Sequence, residues 1–301
     1  MDNGQAGAPL LQSDNPLHEA RAILSLVFEY TPTKGSLFVG GVSRAWRALW
    51  VESRRRLTSV AEATASVSRL QWARAYEYGW PAYCDRRVCA RAAKAGTLEV
   101  LQWARASGCP WHNSTCTRAA EGGHLEVLQW ARANGCPWGT ATCTCAAKGG
   151  HLEVLQWARA NGCPWNTSTC TWAATTGRLE VLQWARAIRC PWNEATCACA
   201  AEEGHLEVLQ WARANGCPWE PCSCAWAASG GHLEVLQWAR ANGCPWNEVM
   251  CSSAAKRGHL EVLQWARANG CPWDHRTVGL AREHGHDDVV EWARANGCPE
   301  E

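Results

Sequence analysis

The chain has 301 residues and nearly balanced charges, with 29 Lys and Arg against 28 Asp and Glu. No block of basic residues indicates a nucleic-acid or membrane-surface partner, and no apolar run approaches the 18 residues of a membrane span. Residues 1–15 are predicted to be a disordered tail, and they lack the positive start and apolar stretch of a signal peptide. We therefore expect an intracellular protein, cytoplasmic or nuclear, with no partner membrane or nucleic acid.

Residues 16–56 follow this tail and do not repeat. Their apolar residues fall in two groups on either side of the turn-forming run TPTKG, which predicts a small helical segment. The run Val42-Ser43-Arg44-Ala45-Trp46-Arg47 in the second group resembles the F-box. Where that family opens with Leu-Pro, this chain has Pro16-Leu17 in the inverted order.

The F-box resemblance implies docking onto the Skp adaptor of a cullin–RING ubiquitin ligase. The apolar residues that would make this contact are Ile23, Leu26, Val27, Val42 and Trp46. The same segment equally suits a plain N-terminal cap that covers the apolar end of a repeat array.

Residues 57–301 form a tandem array of nine repeats. The motif Gln-Trp-Ala-Arg recurs every 27 residues from Trp103 to Trp265, with a degenerate first copy at Trp72 and a changed last copy at Trp292. The last repeat carries Asp287 and Asp288 where others have Leu and Glu, which is typical of a polar terminal cap. A fixed period of this length predicts a stacked solenoid.

One repeat, residues 114–138, predicts two helices around a glycine turn. The first covers Thr115 to about Glu121, and the second about Leu125 to Asn134. The pair Ala119-Ala120 and the run GHLEV from Gly123 resemble the ankyrin repeat, but the connection after Trp138 lacks the six residues where that family has its β-hairpin finger. The resemblance implies an all-α fold, an α-solenoid of stacked helix-turn-helix repeats. Helix pairs of another family would bury the same faces.

Aromatic and thiol side chains recur in columns, one member from each repeat. Trp130 and Trp138 and their copies are predicted to pack in the core. Fifteen of the 19 cysteines fall in two such columns, represented by Cys136 and Cys116, and free cysteine packs as a small hydrophobic residue. The His124 column resembles the structural turn histidine of ankyrin repeats. We therefore predict no metal site, no cofactor and no disulfide framework.

Positions that differ between the repeats are the candidates for recognition, because the shared positions hold the stack together. They cluster on the first helices and are predicted to form a mixed-charge strip with two aromatic residues: Arg118, Glu121, Lys148, Trp172, Glu202, Trp226 and Lys256. In ankyrin proteins the first helices belong to the usual binding surface. The alternative is that Trp172 and Trp226 fill the core between repeats and that the charges are simply solvated.

No nucleophile stands in a motif context and no Gly-rich phosphate loop is present, so we predict a non-catalytic protein-interaction module. Three functions remain open. The array could select substrates for a ubiquitin ligase, could be an ankyrin-type scaffold or adaptor with no ubiquitin link, or could belong to a Cys-rich metal-binding protein.

Arg189 stands where the other repeats have Gly. We expect this substitution to lower the stability of the fold by about 1 kcal/mol.

Overall fold

The computed structural model describes residues 82–218 and 223–300, and these residues are helical with short connections. They form sixteen helices arranged as eight antiparallel pairs, which confirms the predicted α-solenoid. The first helices of the pairs are α1 Ala82–Ala95, α3 Asn113–Glu121, α5 Thr140–Gly149, α7 Thr167–Thr175, α9 Glu194–Glu202, α11 Ser223–Gly230, α13 Glu248–Lys256 and α15 His275–Glu283. The second helices are α2 Leu98–Ala106, α4 Leu125–Ala133, α6 Leu152–Ala160, α8 Leu179–Ala187, α10 Leu206–Ala214, α12 Leu233–Ala241, α14 Leu260–Ala268 and α16 Asp287–Ala295.

The predictions for residues 1–15 and 16–56 and for the degenerate first repeat lie outside the described residues. In the described repeats the predicted helix boundaries are close to those observed. Helix α3 begins two residues before Thr115, because the side chain of His112, in an extended conformation, accepts a hydrogen bond from the backbone N–H of Ser114. Helix α4 ends one residue earlier than predicted, at Ala133.

The first helices pack side by side along the array, each against the first helix of the next repeat. Small side chains allow this close approach: Cys116, Ala119 and Ala120 on α3 have no exposed surface. Each second helix packs mainly on its own first helix and makes few direct contacts with the neighbouring second helices. Val127, Leu128 and Ala131 of α4 supply the buried face of that contact.

Tryptophans connect the second helices of neighbouring repeats. Trp138, in the connection after α4, packs edge-on against Trp157 of α6, with ring centroids 5.8 Å apart and an interplanar angle of 67°. On Trp138 the guanidinium of Arg132 lies 4.1 Å from the ring centroid, and Arg132 Nη1 also donates to the carbonyl of Cys136. The tryptophans are partly buried and pack against the core, as predicted.

The Arg–Trp–Trp arrangement recurs along the described residues with nearly the same geometry. Edge-on Trp pairs 5.8–6.1 Å apart join consecutive repeats, and an arginine lies over the connecting ring in six of them. Edge-to-face aromatic pairs and guanidinium–ring contacts each add about 0.5–1.5 kcal/mol beyond buried area. The repeated Trp and Arg therefore stabilise the side of the array where helices make few direct contacts.

The two cysteine columns meet in the core of each repeat. Cys116 Sγ lies 3.9 Å from the carbonyl oxygen of Cys136, and Cys136 Sγ lies 3.7 Å from that of His112. Both side chains are fully buried, and the described cysteines are all free thiols. The hydrogen bond between the two thiols and burial both raise the pKa of Cys116. The structure confirms that the cysteines of these two columns pack in the core.

The histidine column joins each second helix to the repeat before it. His151 Nε2 donates to the carbonyl oxygen of Glu121, 3.1 Å away, which caps the end of α3. The ring lies against Gly123, whose φ is 75°, and a Cβ there would be 2.5 Å from His151 Nδ1. Glycine is thus required at this position both by its backbone conformation and by the close approach of the imidazole.

One repeat keeps this contact without a histidine. Arg178 occupies the histidine position and its side chain lies against Gly150. Thr176 Oγ1 donates instead to the carbonyl oxygen of Lys148, 3.0 Å away, which is the group that a histidine would reach. The same hydroxyl also lies 2.8 Å from the carbonyl oxygen of Trp172 in its own repeat, so its single proton is shared between a contact within the repeat and one to the preceding repeat.

Arg189 has a φ of 63° and is the only non-glycine residue with positive φ in the described part of the chain. We predict that Arg189→Gly stabilises the array by about 1 kcal/mol, because the left-handed conformation costs about that much for a residue with a Cβ. Urea unfolding followed by far-UV circular dichroism measures the change. Gly162→Ala is the matched control: φ is 79° there and a Cβ would meet nothing within 4 Å, so a loss of similar size is expected. A destabilised Arg189→Gly variant would contradict the prediction.

The final repeat exposes Asp287, Asp288 and Glu291 on α16. Its tail is held by Glu300, whose carboxylate lies 2.6 Å from Arg294 Nε. That this repeat caps the array stays a prediction.

Candidate protein-binding surface

All seven residues predicted for partner binding lie on first helices. Arg118 and Glu121 are in α3, and the others are distributed one to a repeat: Lys148 in α5, Trp172 in α7, Glu202 in α9, Trp226 in α11 and Lys256 in α13. We call the outward side of these helices the first-helix face. It is distinct from the side of the array that carries the Arg–Trp–Trp contacts.

At α3 the carboxylate on the first-helix face is paired within the chain, with two basic side chains. The carboxylate of Glu121 lies 3.0 Å from Lys94 Nζ and 2.6 Å from Arg118 Nη1. Desolvation opposes ionisation of this carboxyl, but hydrogen bonds from Lys94 and Arg118 prevail and lower the pKa of Glu121. Such exposed pairs contribute little to stability, about 0–1 kcal/mol. Arg118 and Glu121 therefore already satisfy one another.

The two aromatic residues of the first-helix face are exposed. Trp172 is 38% exposed and Trp226 is 41% exposed. The alternative that they fill the core between repeats is therefore wrong. Other described tryptophans are at most partly exposed and pack against the core.

Trp172 has a charged neighbour from the preceding repeat. Lys148 Nζ lies 4.4 Å from the centroid of the Trp172 ring, within the range of a cation–π contact. The Trp172 ring is therefore already in contact with a cation from its own chain, the ammonium of Lys148.

Helix α9 lies between the two exposed indoles and has small outward side chains. Ala198 is nearly buried, as is Ala225 of α11, and Cys199 is partly exposed. The C-terminal end of α9 carries Glu202 and the exposed Glu203. Burial is the main cause that raises the pKa of Cys199, and the charges of both glutamates raise it further. This part of the face therefore has small residues below its surface and negative charge at the C-terminal end of α9.

Lys256 and Val249 extend the face onto α13. The Lys256 side chain is exposed, while its carbonyl oxygen accepts a hydrogen bond from His286 Nε2, 3.1 Å away. Sequence reasoning missed Val249, which is an exposed large apolar residue. The sequence did contain an indication that Val249 is exposed. Other repeats have a polar residue at the same position, for example Ser114 and Ser168.

The predicted F-box-like residues Ile23, Leu26, Val27, Val42 and Trp46 lie outside the described residues. Within the described ranges, no group of three or more His, Cys, Asp and Glu side chains is placed to hold a metal ion. No helix in those ranges is both long enough and apolar enough to cross a bilayer.

The described helix pairs form an ankyrin-like α-solenoid. Residues 224–267 match the family model described as ankyrin repeats, many copies. The matched segment includes nearly all of α11 to α14, which are two helix pairs. The other described helix pairs follow the same alternation of first and second helices. No curated protein matches the chain.

Proposed function

We propose that the array is a non-catalytic protein-interaction module that binds its partner through the first-helix face. The observation that carries this proposal is the exposure of Trp172 and Trp226 among small and charged side chains. Exposed tryptophans are costly to leave in water and are enriched at the centres of protein interfaces. The partner-binding residues are Arg118, Glu121, Lys148, Trp172, Glu202, Trp226 and Lys256. The 27-residue repeat is in this view a short ankyrin variant without the β-hairpin finger.

Proximity labelling in the native cell tests this function. We expect the double variant Trp172→Ala and Trp226→Ala to lose the main labelled partners of the wild-type chain, because truncating a central aromatic anchor typically costs 2 kcal/mol or more of binding.

Ile188→Ala is the matched control, since Ile188 is an apolar residue with 44% exposure that lies after a second helix, away from the first-helix face. Both variants must unfold in urea like the wild type. Unchanged labelling by the double variant would exclude the first-helix face as the binding surface.

A sharper version of this function is substrate selection for a ubiquitin ligase in the cytoplasm or nucleus. The run Val42-Ser43-Arg44-Ala45-Trp46-Arg47 supports it, with residues 16–56 docking the Skp adaptor and residues 57–301 holding the substrate. The alternative is a scaffold without a ubiquitin link, in which residues 16–56 only cap the array. Co-purification of the full chain with the Skp adaptor, lost in Val42→Asp, distinguishes the two; no co-purification of the wild type favours the scaffold.

A further inference from the structure

First helices of neighbouring repeats are aligned in a constant register. A residue in the outward column lies beside the residue 24 positions earlier, on the preceding helix. Lys148 thus lies over Trp172, and Glu121 raises the pKa of Cys145, although burial is the larger cause. Burial raises the pKa of Cys199, and the nearby Thr175 side chain acts in the opposite direction. Three consecutive helix contacts therefore have the same register.

The same register places Glu202 beside Trp226. The two exposed indoles therefore have neighbours of opposite charge: an ammonium at Trp172 and a carboxylate at Trp226. The face of an indole ring is electron-rich and attracts cations. At Trp172 this attraction is satisfied within the chain, whereas at Trp226 the adjacent carboxylate increases the attraction for a cation from outside.

Other residues near Trp226 also favour binding of a positively charged group. Glu203 follows Glu202 and is exposed, and both act on the Cys199 thiol, so their negative charge reaches the surface between α9 and α11. Two carboxylates beside the ring repel phosphate groups, so nucleic acid does not suit the site.

Within this chain, the cation that repeatedly stacks on tryptophan is arginine. The guanidinium groups of Arg132 and Arg159 lie 4.1 Å from the ring centroids of Trp138 and Trp165. A guanidinium is planar and weakly hydrated, so it can stack on an indole and donate to a carboxylate simultaneously.

We propose that Trp226, Glu202 and Glu203 form a binding site for an arginine side chain of a partner protein. The guanidinium stacks on the Trp226 ring and donates hydrogen bonds to the Glu202 carboxylate. This inference rests on the proposed function, because it identifies what one part of the first-helix face recognises.

A peptide titration of the full chain tests the site. The probe is a short acetylated and amidated Gly-Ser peptide with one central arginine, and its comparator carries citrulline, which has the same shape without the charge. The indole N–H signal of Trp226 in a two-dimensional NMR spectrum, assigned by its absence in Trp226→Phe, reports binding. We expect the arginine peptide to bind at least about tenfold more tightly than the citrulline peptide.

Two charge exchanges provide the matched variants. Glu202→Lys gives Trp226 the neighbour that Trp172 has, and is expected to weaken arginine-peptide binding at Trp226 by about tenfold or more. Lys148→Glu gives Trp172 the neighbour that Trp226 has, and its indole signal should begin to respond to the arginine peptide. Both positions are at the ends of helices on the surface, and urea unfolding checks that each variant folds.

Equal binding of the arginine and citrulline peptides, or full binding by Glu202→Lys, overturns the arginine site. That result leaves the proposed function standing if Trp172→Ala and Trp226→Ala still abolish partner labelling. Conversely, arginine-selective binding together with unchanged partner labelling supports the site and contradicts the proposed use of the whole face.

Discussion

Trp157→Ala is expected to destabilise the array by about 3 kcal/mol, which is the lower end of the range for large-to-small aromatic substitutions. The substitution removes the edge-on contact with Trp138 and exposes the core against which the Trp157 ring packs. Because the second helices have few direct contacts, nothing else replaces this connection between α4 and α6. Urea unfolding followed by far-UV circular dichroism measures the loss.

Trp172→Ala is the internal control for this prediction. It deletes the same side chain from the first-helix face, where the ring is 38% exposed and its polar contact is one cation–π pair with Lys148. We expect a loss of at most about 1 kcal/mol. Equal losses for the two tryptophans would contradict the division into packing and recognition residues.

Raising the pH above about 8.5 is expected to destabilise the array steeply. In seven described thiol pairs the hydrogen bond to the partner thiol and burial raise the pKa of one member far above its ordinary value: Cys89, Cys116, Cys143, Cys190, Cys197, Cys224 and Cys251. The folded array keeps these protons, whereas the unfolded chain releases them above the ordinary cysteine pKa. Their contribution is therefore fully present below that pKa and is lost as the pH rises.

Each such thiol contributes a slope of about 1.4 kcal/mol per pH unit above the unfolded pKa. The double variant Cys143→Ala and Cys163→Ala should remove one such increment from the slope measured between pH 8.5 and 10. Val154→Ala provides the control, since it shortens a buried side chain and should lower stability at every pH with the slope unchanged. An unchanged slope in the cysteine variant would show that the thiols do not control alkaline unfolding.

Most of the fold could be predicted because the chain repeats itself. The recurring Leu, Val and Ala positions indicate the buried face of the second helix, and Gly123 marks the turn in every similar repeat. Comparing the repeats also located the first-helix face, since Trp172 and Lys148 stand at positions where other repeats differ. These inferences need only the sequence and the period.

What the sequence could not provide was contact geometry between repeats. Trp172 and Trp226 share a column with Cys145 and Cys199. Trp and Cys can both occupy buried or exposed positions, so the column alone does not predict exposure. The packing of α7, α9 and α11 determines it. The pairing of Trp138 with Trp157 likewise depends on the distance between second helices. The replacement of a histidine by Thr176 required the position of the Lys148 carbonyl.

Contacts that are the same at every junction and contacts that differ between junctions respond differently when repeats are duplicated, lost or reordered. The Thr176 hydroxyl contacts a main-chain carbonyl of the preceding repeat, a group that any copy would offer, so duplication or loss of a 27-residue segment would leave this contact available. The pairing of Lys148 with Trp172 joins side chains of two different copies, and so does the inferred pairing of Glu202 with Trp226. Shuffling the copies would therefore preserve the shared contacts but change which indole has which charged neighbour. Under the proposed function, the order of the copies would determine what the first-helix face recognises.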